Sequence, residues 1–291
     1  MSNALVRPIL WLPIVAGALA AAAMPPAQTL TFDVASVRPS PSAISANIRA
    51  MPNGRFAAAG ATVDELILRA YGLVGSQLIG TPSWSHDERF DIEARTASAP
   101  PGGPDALMPA LRALLSERFA LRTHRETRDL PAYVLRVARR DGQGGPQLRR
   151  TEADCSGASS LTPEEMKSSV RDGWPPCGMA YTVAFATGGA NGPNVVKMRV
   201  RRSGTTMADF ATRLQSTLER PVVDMTGLDG RFDVEYTFAP QPPNMLADSG
   251  FGADVPTLFA ALDEQLGLRL DSRRTTVPVL VVDSVDRPTA N

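Results

Sequence analysis

Apolar residues recur at helical spacing in the stretch "ATVDELILRAYG", residues 61–72. Thr62 is a typical N-cap residue, and Glu65 three positions later completes a capping box. The apolar residues that fall on one face of the helix are Val63, Leu66, Ile67, Ala70 and Tyr71. The spacing therefore predicts an amphipathic helix. A turn-rich stretch follows and leads into "RFDIEA", residues 89–94, whose alternating pattern predicts a strand.

The same pattern returns in the second half of the chain. In "TTMADFATRLQSTL", residues 205–218, Thr206 and Asp209 take the capping positions, and the apolar face consists of Met207, Phe210, Leu214 and Leu218. The strand that follows starts with "RFDVEY", residues 231–236. In both copies we expect the phenylalanine to point into a core, while the arginine and aspartate share the other face and pair with a neighbouring strand. A ligand site at this motif is the alternative.

A second pair of segments aligns without a gap at an offset of 147 positions. The first is "PALRALLSERFALRTHRETRDLPAYVL", residues 109–135, and the second is "PTLFAALDEQLGLRLDSRRTTVPVLVV", residues 256–282. Pro109 and Pro256 each suit the first turn of a helix. Both segments predict a helix, a strand, a turn and a second strand. The second strand is predicted because branched residues dominate the final positions of each segment.

These elements predict an α+β fold with internal duplication, in which each half is roughly β-α-β-β-α-β-β with antiparallel sheets. The predicted boundaries are 28–142 for the first half and 195–291 for the second half. Residues 143–194 are rich in Gly, Pro and Ser, which is typical of a connecting loop. The two halves form either one pseudo-symmetric domain or two lobes.

The connector contains both cysteines of the chain, Cys155 and Cys177. Two cysteines at this spacing in an exported protein favour a disulfide, and two free thiols are the alternative. Closing a loop of this length stabilises the fold by about 3 kcal/mol in the chain-entropy model.

The N-terminal residues 1–27 have the pattern of a signal peptide. The apolar run Ile9–Ala23 contains Pro13 and Gly17 and is short for a membrane span. Small residues allow cleavage after Ala23 or Ala27, and an uncleaved anchor is the alternative. We therefore expect a periplasmic or secreted protein with no transmembrane segment after signal cleavage.

Charge and motifs exclude several classes of function. Thirty basic and thirty acidic residues cancel, so nothing indicates a nucleic-acid partner. The zinc-peptidase, hydrolase-elbow, P-loop and dinucleotide motifs are missing, and the sequence assigns no catalytic residue, metal ligand or cofactor. The only histidines are His86 and His124, and surface positions are the favoured interpretation for both.

Several blocks of the chain match one known family in order. Among them are "FDVASVRPS" (32–40), "PSWSHDERFDIEA" (82–94) and "RPVVDMTGLDGRFDVEYTF" (220–238). They resemble the soil-associated protein family of acidobacteria and their relatives, an exported domain of unknown function. A related domain is attached to antibiotic-sensor-type membrane metallopeptidases. The resemblance implies export but no established activity, and the missing zinc motif argues against a peptidase.

We predict a non-enzymatic binding module that recognises an envelope protein. The best candidates for its recognition surface are Trp84, His86, Arg89 and Trp174, because loop aromatics and their polar neighbours often form contacts. The first alternative is a small-molecule or glycan binder that uses the cleft between the halves. A third hypothesis is an enzyme with an unfamiliar site around His86, Asp87 and Arg89. The sequence does not indicate an oligomeric state.

Overall fold

Helices and mainly antiparallel strands alternate along the chain, which confirms the predicted α+β class. The computed structural model describes residues 30–41, 46–51, 53–100, 104–152, 155, 170, 172–187, 195–240 and 256–288. The predicted signal peptide lies outside the described residues. None of the helices in these ranges has the length and apolar character needed to span a membrane.

The first half contains six strands and three helices within the described residues. They are β1 (Val34–Pro39), β2 (Asn47–Ala50), β3 (Arg55–Thr62), α1 (Val63–Tyr71), β4 (Leu78–Ile79), α2 (Trp84–Asp87), β5 (Arg89–Arg95), α3 (Met108–Arg118) and β6 (Arg122–Val137). The capping box of α1 is present: Glu65 N–H donates to Thr62 Oγ1 (3.2 Å), and Thr62 N–H donates to Glu65 Oε2 (2.8 Å).

The second half repeats this arrangement with one short helix fewer among the described residues. Its elements are β7 (Leu148–Arg150), β8 (Ala180–Thr187), β9 (Val195–Thr205), α4 (Met207–Leu218), β10 (Val222–Asp224), β11 (Phe232–Phe238), α5 (Leu258–Leu266) and β12 (Leu268–Ser284). Thr206 caps α4 by accepting from Asp209 N–H (3.1 Å). The Asp209 carboxylate instead accepts from the Thr206 hydroxyl (2.8 Å), so this cap is not the reciprocal box of α1.

The strands form three four-stranded sheets. Two of them have matching orders, β1-β5-β3-β2 and β7-β11-β9-β8, in which each strand number of the second sheet is six higher than its counterpart in the first. The third sheet has the order β10-β6-β12-β4. Exchanging its strands for their counterparts, β4 for β10 and β6 for β12, gives the same order in reverse. Its outer pairs, β10 with β6 and β4 with β12, are short and parallel, whereas the other pairings are antiparallel. This correspondence supports an internal duplication, which stays a hypothesis about the origin of the chain.

The prediction of a strand, a turn and a second strand after each long helix is wrong. Residues 122–137 and 268–284 are instead two continuous strands that pair antiparallel along their whole length. Pro131 and Pro278 both lie within these strands, in the stretch between the short partner strands. Tyr133, on the same edge of β6 as Pro131, donates its N–H outward to Pro221 O (2.8 Å). The missing N–H of Pro131 therefore removes no bond between β6 and β12.

The two long strands connect two separate cores. The first core contains residues of β3, α1, β5 and α3, together with Leu280, Val282 and Val285 from the end of the chain. The second core contains residues of β9, α4, β11 and α5, together with Leu135 from the end of β6. Each long strand therefore begins in its own lobe and ends in the core of the other lobe. We call the two units around these cores the first lobe and the second lobe.

The described part of the connector contains two strands that its composition did not suggest. Strands β7 and β8 lie within residues 143–194 and form both edges of the second-lobe sheet. The short polar "LRR" and the small residues of "AYTVAFAT" gave a weak strand signal among the surrounding Gly and Pro. The loop interpretation is therefore wrong for these two segments.

We expect Leu280→Ala to lower the free energy of unfolding by about 2–5 kcal/mol, because it leaves a cavity in the first core. Leu280 is 3% exposed and comes from the last strand of the chain. Denaturant unfolding followed by circular dichroism measures the change. Leu130→Ala is the matched control, since Leu130 is only partly buried in the middle of β6. Equal effects of the two substitutions would contradict the placement of β12 in the first core.

Candidate functional site

Arg89 and Asp91 hold a glycine on the neighbouring strand. Arg89 Nη1 donates to the carbonyl oxygen of Gly60 (2.6 Å), and the N–H of Gly60 donates to Asp91 Oδ1 (2.8 Å). Gly60 has a φ of 62°, and the register between β3 and β5 shifts at this point, as in a glycine β-bulge. Phe90 between them is 3% exposed. The expected inward phenylalanine and cross-strand pairing are confirmed, and the Arg89 side chain is engaged with the backbone.

The second copy of the motif makes the same contacts. Arg231 Nη1 donates to the carbonyl oxygen of Gly204 (2.8 Å), and the N–H of Gly204 donates to Asp233 Oδ1 (2.7 Å). Gly204 has a φ of 61°, and the register between β9 and β11 is irregular nearby. We call each arrangement a glycine clamp. The near-identical sequences are therefore explained by a shared local structure.

Trp84 lies at the start of α2 and packs against the first core. The guanidinium of Arg287 sits 5.0 Å from the centre of its ring, which is a cation–π distance. Arg287 also pairs with Glu88 (2.7 Å), and the hydrogen bond from Arg287 lowers the pKa of that carboxyl. Trp84 thus contacts the segment that follows β12, and its role in binding stays a prediction.

His86 belongs to a cluster around Asp64. Its Nδ1 is 2.5 Å from Asp64 Oδ2, while Ser85 Oγ donates to Asp64 Oδ1 (2.7 Å). In a serine hydrolase the imidazole lies between the serine and the aspartate. Here the aspartate lies between the other two residues, and Ser85 is fully buried. The cluster ties α2 to the first turn of α1 but provides no activated serine.

His124 makes two contacts with carboxylates on the exposed long strands. Its Nε2 is 3.0 Å from Glu126 Oε1, and its Nδ1 is 2.7 Å from Asp283 Oδ1. The hydrogen bonds with Glu126 and Asp283 raise the pKa of His124 above its ordinary value. Within the described ranges, no group of three or more histidine, cysteine or acidic residues is arranged to hold a metal ion.

Trp174 lies on the second lobe, away from the sheet that carries Arg89. The guanidinium of Arg201 is 5.6 Å from the centre of its ring, and Arg201 Nη1 donates to Gly173 O (3.1 Å). Arg201 also forms an ion pair with Glu235 (3.1 Å) without the geometry of a hydrogen bond. On the adjacent strand Tyr181 is paired in register with Arg201. Trp174 therefore stands beside the exposed face of β8 and β9.

This exposed face is the largest feature that sequence reasoning missed. We call it the β8 surface, and it consists of Trp174, Tyr181, Val183, Arg199 and Arg201. Tyr181 is 39% exposed and Val183 is 56% exposed. The alternation in "AYTVAFAT" was the available signal, but the Gly- and Pro-rich surroundings led to a loop interpretation. Of the four predicted binding residues, only Trp174 belongs to this surface.

The predicted disulfide is present between Cys155 and Cys177. It packs on the glycine clamp of the second lobe, where a Cβ on Gly204 would overlap both sulfur atoms. Next to it, Gly178 N–H donates to Ser203 O (2.7 Å), and Ser203 N–H donates to Met179 O (3.2 Å). The disulfide therefore holds the segment that carries Trp174 and leads into β8 against β9.

A cleft with a volume of about 570 Å³ lies between α1 and α3 of the first lobe and α4 of the second lobe. Asp105 pairs with Arg69 of the same lobe (3.2 Å) and, across the cleft, with Arg213. Gln215 Nε2 donates to the carbonyl oxygen of Gly72 (2.5 Å). Burial raises the pKa of Asp105, but the contacts with Arg213 and Arg69 outweigh burial and lower it. The polar groups of this cleft thus serve mainly to join the lobes.

A protein-family model matches most of the chain. The model of a family described as a protein of unknown function, DUF3738, matches residues 64–285, which include the Arg-Phe-Asp segments of both glycine clamps and both long strands. No curated protein and no solved structure has a significant match to the chain.

We expect Asp91→Ala to lower the free energy of unfolding by about 1–3 kcal/mol, because the N–H of the buried Gly60 loses its acceptor. The Gly60 N–H and the Ser40 side chain both lower the pKa of Asp91. Stability that depends on this carboxylate is present above the unfolded pKa of about 4 and is lost as the pH falls through the lowered folded value. The difference in the free energy of unfolding between the parent protein and Asp91→Ala should therefore become smaller at acidic pH.

Glu93→Ala is the control for Asp91→Ala, since Glu93 lies on the same strand with a 66% exposed side chain. Its effect should stay within about 0.5 kcal/mol. Urea titrations at neutral and acidic pH measure both variants. If Asp91→Ala lowered the free energy of unfolding no more than Glu93→Ala does, the result would contradict the stabilising role of the glycine clamp.

We expect replacement of both cysteines by serine to lower the free energy of unfolding by about 3 kcal/mol. Thermal or denaturant unfolding measures the loss, with the parent protein before and after reduction as the reference. If reduction left the stability of the parent protein unchanged, the disulfide would have no structural role.

Proposed function

Because the chain belongs to the DUF3738 family of proteins of unknown function, we propose its role from geometry: a non-enzymatic binding module that adds a partner strand to β8. The observation that carries this proposal is the outer edge of β8, which pairs with no other strand among the described residues. It is eight residues long and contains no charge, proline or glycine. A long, uncharged edge presents free backbone N–H and C=O groups, which favour pairing with another strand.

The other sheet edges of the described structure are protected. Strand β1 contains Arg38 and Pro39, and β2 has four residues including Arg49. Strand β7 has three residues, two of them arginine. Strands β4 and β10, at the edges of the central sheet, have two and three residues. Natural proteins use short strands, charges and prolines to prevent unwanted pairing. The lack of these features in β8 supports a role in binding.

The β8 surface indicates the chemistry of the partner. Tyr181, Val183 and Phe185 share one face of β8 because side chains alternate along a strand. The neighbouring row on β9 carries Lys197, Arg199 and Arg201, and Glu235 on β11 pairs with two of these cations. The cations thus outnumber the carboxylate. This pattern favours an extended segment that is apolar at alternate positions and acidic beside them, over a second copy of the same chain.

We propose that the protein functions in the periplasm or outside the cell. Residues 1–27 have the pattern of a signal peptide, and a disulfide of this kind persists in oxidising compartments. The partner would then be an envelope protein. From the family resemblance, we also propose an origin in acidobacteria and a relation to the domains that are attached to membrane metallopeptidases.

The alternative of a ligand between the lobes has less support. Asp105, Arg69, Arg213 and Gln215, which would orient a ligand there, already contact one another or the backbone. The hypothesis of an enzyme around His86, Asp87 and Arg89 has less support for the same reason. His86 pairs with Asp64, and Arg89 is held in the glycine clamp.

We expect a photo-crosslinking amino acid at Tyr181 to capture an envelope protein in the native host, whereas the same group at Asn47 on the β2 edge should not. Introducing Val183→Asp should reduce the capture and weaken binding to the identified partner about tenfold or more, because it places a charge on the edge and repels acidic side chains. Mass spectrometry and a binding titration measure the two effects.

Val34→Asp on the β1 edge is the matched control, since Val34 is 70% exposed. It should leave capture at position 181 unchanged. Unchanged capture with Val183→Asp would reject the β8 edge as the binding site. Crosslinks between two copies of this chain would show that β8 pairs with a second copy and would reject the envelope protein as its partner.

A further inference from the structure

A second cavity lies inside the second lobe, between the inner face of its sheet and helices α4 and α5. Its volume is about 520 Å³, within the usual size range of small-molecule sites. Most of its wall is apolar and aromatic, with Met198, Val200, Phe210, Tyr236, Phe238 and Phe259 among the lining residues. The Phe210 and Tyr236 rings meet edge to face with centroids 6.0 Å apart. The wall therefore suits an apolar chain or ring.

Arg202 brings a positive charge into this cavity. It follows Met198 and Val200 at alternate positions of β9, so its side chain shares their inner face. In the described part of the chain Arg202 has no ion pair, and Asp105 and Asp209 act on it only at longer range. Burial, together with the nearby Arg213, lowers the pKa of Arg202. A partly buried cation without a paired anion is unfavourable, so an anion beside it would be stabilising.

Two further groups in the cavity can contact an anion. Arg213 lines the cavity, and its partner Asp105 is shared with Arg69. Burial raises the pKa of Tyr236 to about 12, so its hydroxyl keeps its proton and can donate a hydrogen bond. Cationic and neutral donors thus gather in a cavity whose remaining wall is mostly apolar.

Among the described residues, the first lobe has no such site at the corresponding position. Counting back from the clamped glycine, Ala58 stands where the second lobe has Arg202, and Phe56 stands where it has Val200. Phe56 is fully buried and lies 6.0 Å from the Phe32 ring, so aromatic side chains occupy this region of the first core. A filled core is the more stable arrangement for a purely structural lobe. The cavity and Arg202 are therefore a specific feature of the second lobe.

We propose that this cavity binds a small amphipathic anion, with its carboxylate beside Arg202 and its apolar part against Phe210, Phe238 and Phe259. This site is separate from the β8 surface, and its test does not depend on the proposed function. The ligand class is defined by chemistry: a fatty acid of medium length or an aromatic carboxylic acid.

The test is calorimetric titration of the oxidised chain from residue 28 with decanoate and 4-phenylbutyrate, below the concentrations at which they form micelles. We expect at least one of them to bind. Decanol and decyltrimethylammonium have similar chains without the negative charge, and they should bind at least tenfold more weakly than decanoate. Failure of both acids to bind, or equal binding of decanol and decanoate, would overturn the proposal.

Variants at three positions locate the site. Arg202→Met should weaken acid binding tenfold or more, and Tyr236→Phe should weaken it less because the ring is kept. Arg201→Met is the matched control, since Arg201 lies on the opposite face of the same strand and should not affect binding. Arg202 is partly buried and has no ion pair among the described residues, so its replacement by an apolar side chain should be neutral or stabilising, and thermal unfolding should show that Arg202→Met stays folded. Unchanged binding in a folded Arg202→Met protein would reject the site.

Discussion

The antiparallel pairing of β6 with β12 is the interaction on which the rest of the structure depends. It begins with Leu268 opposite Val137 and ends with Ser284 opposite Arg122. Both strands finish in the core of the other lobe, where Leu135 and Leu280 are buried. Neither lobe can complete its core from its own half of the sequence. We therefore expect the two halves to unfold as one cooperative unit, although they have two separate cores.

Within each lobe, the glycine clamp sets the position of the first long helix. The bulged glycine lies two residues before the N-cap threonine, so the arginine and aspartate of the next strand fix the point at which the chain leaves the sheet. The lobes differ in what surrounds this common frame. The second lobe adds a disulfide on its glycine, the uncharged outer edge of β8 and a cavity that contains Arg202, which has no ion pair among the described residues. These differences concentrate the proposed binding functions in the second lobe.

Local patterns in the sequence predicted the features that depend on neighbouring residues. The caps at Thr62 and Thr206, the buried phenylalanines of the repeated motif and the disulfide are of this kind. The long strands were missed because their continuity through Pro131 and Pro278 depends on the pairing of two segments that are distant in the sequence. The exposure of β8 and the environment of Arg202 depend on which strands and helices lie beside them. Such tertiary contacts leave no local pattern in a single sequence.

The most direct test of the shared cores is unfolding of the chain from residue 28 with one tryptophan at a time. Trp84 packs against the first core, and Trp174 contacts Arg201 on the second lobe. Variants with Trp84→Phe or Trp174→Phe leave a single fluorescent probe in one lobe. If each lobe depends on a strand of the other, both probes should give the same denaturant midpoint and slope. Two separate transitions would contradict the account, because they would mean that each lobe is stable without the other.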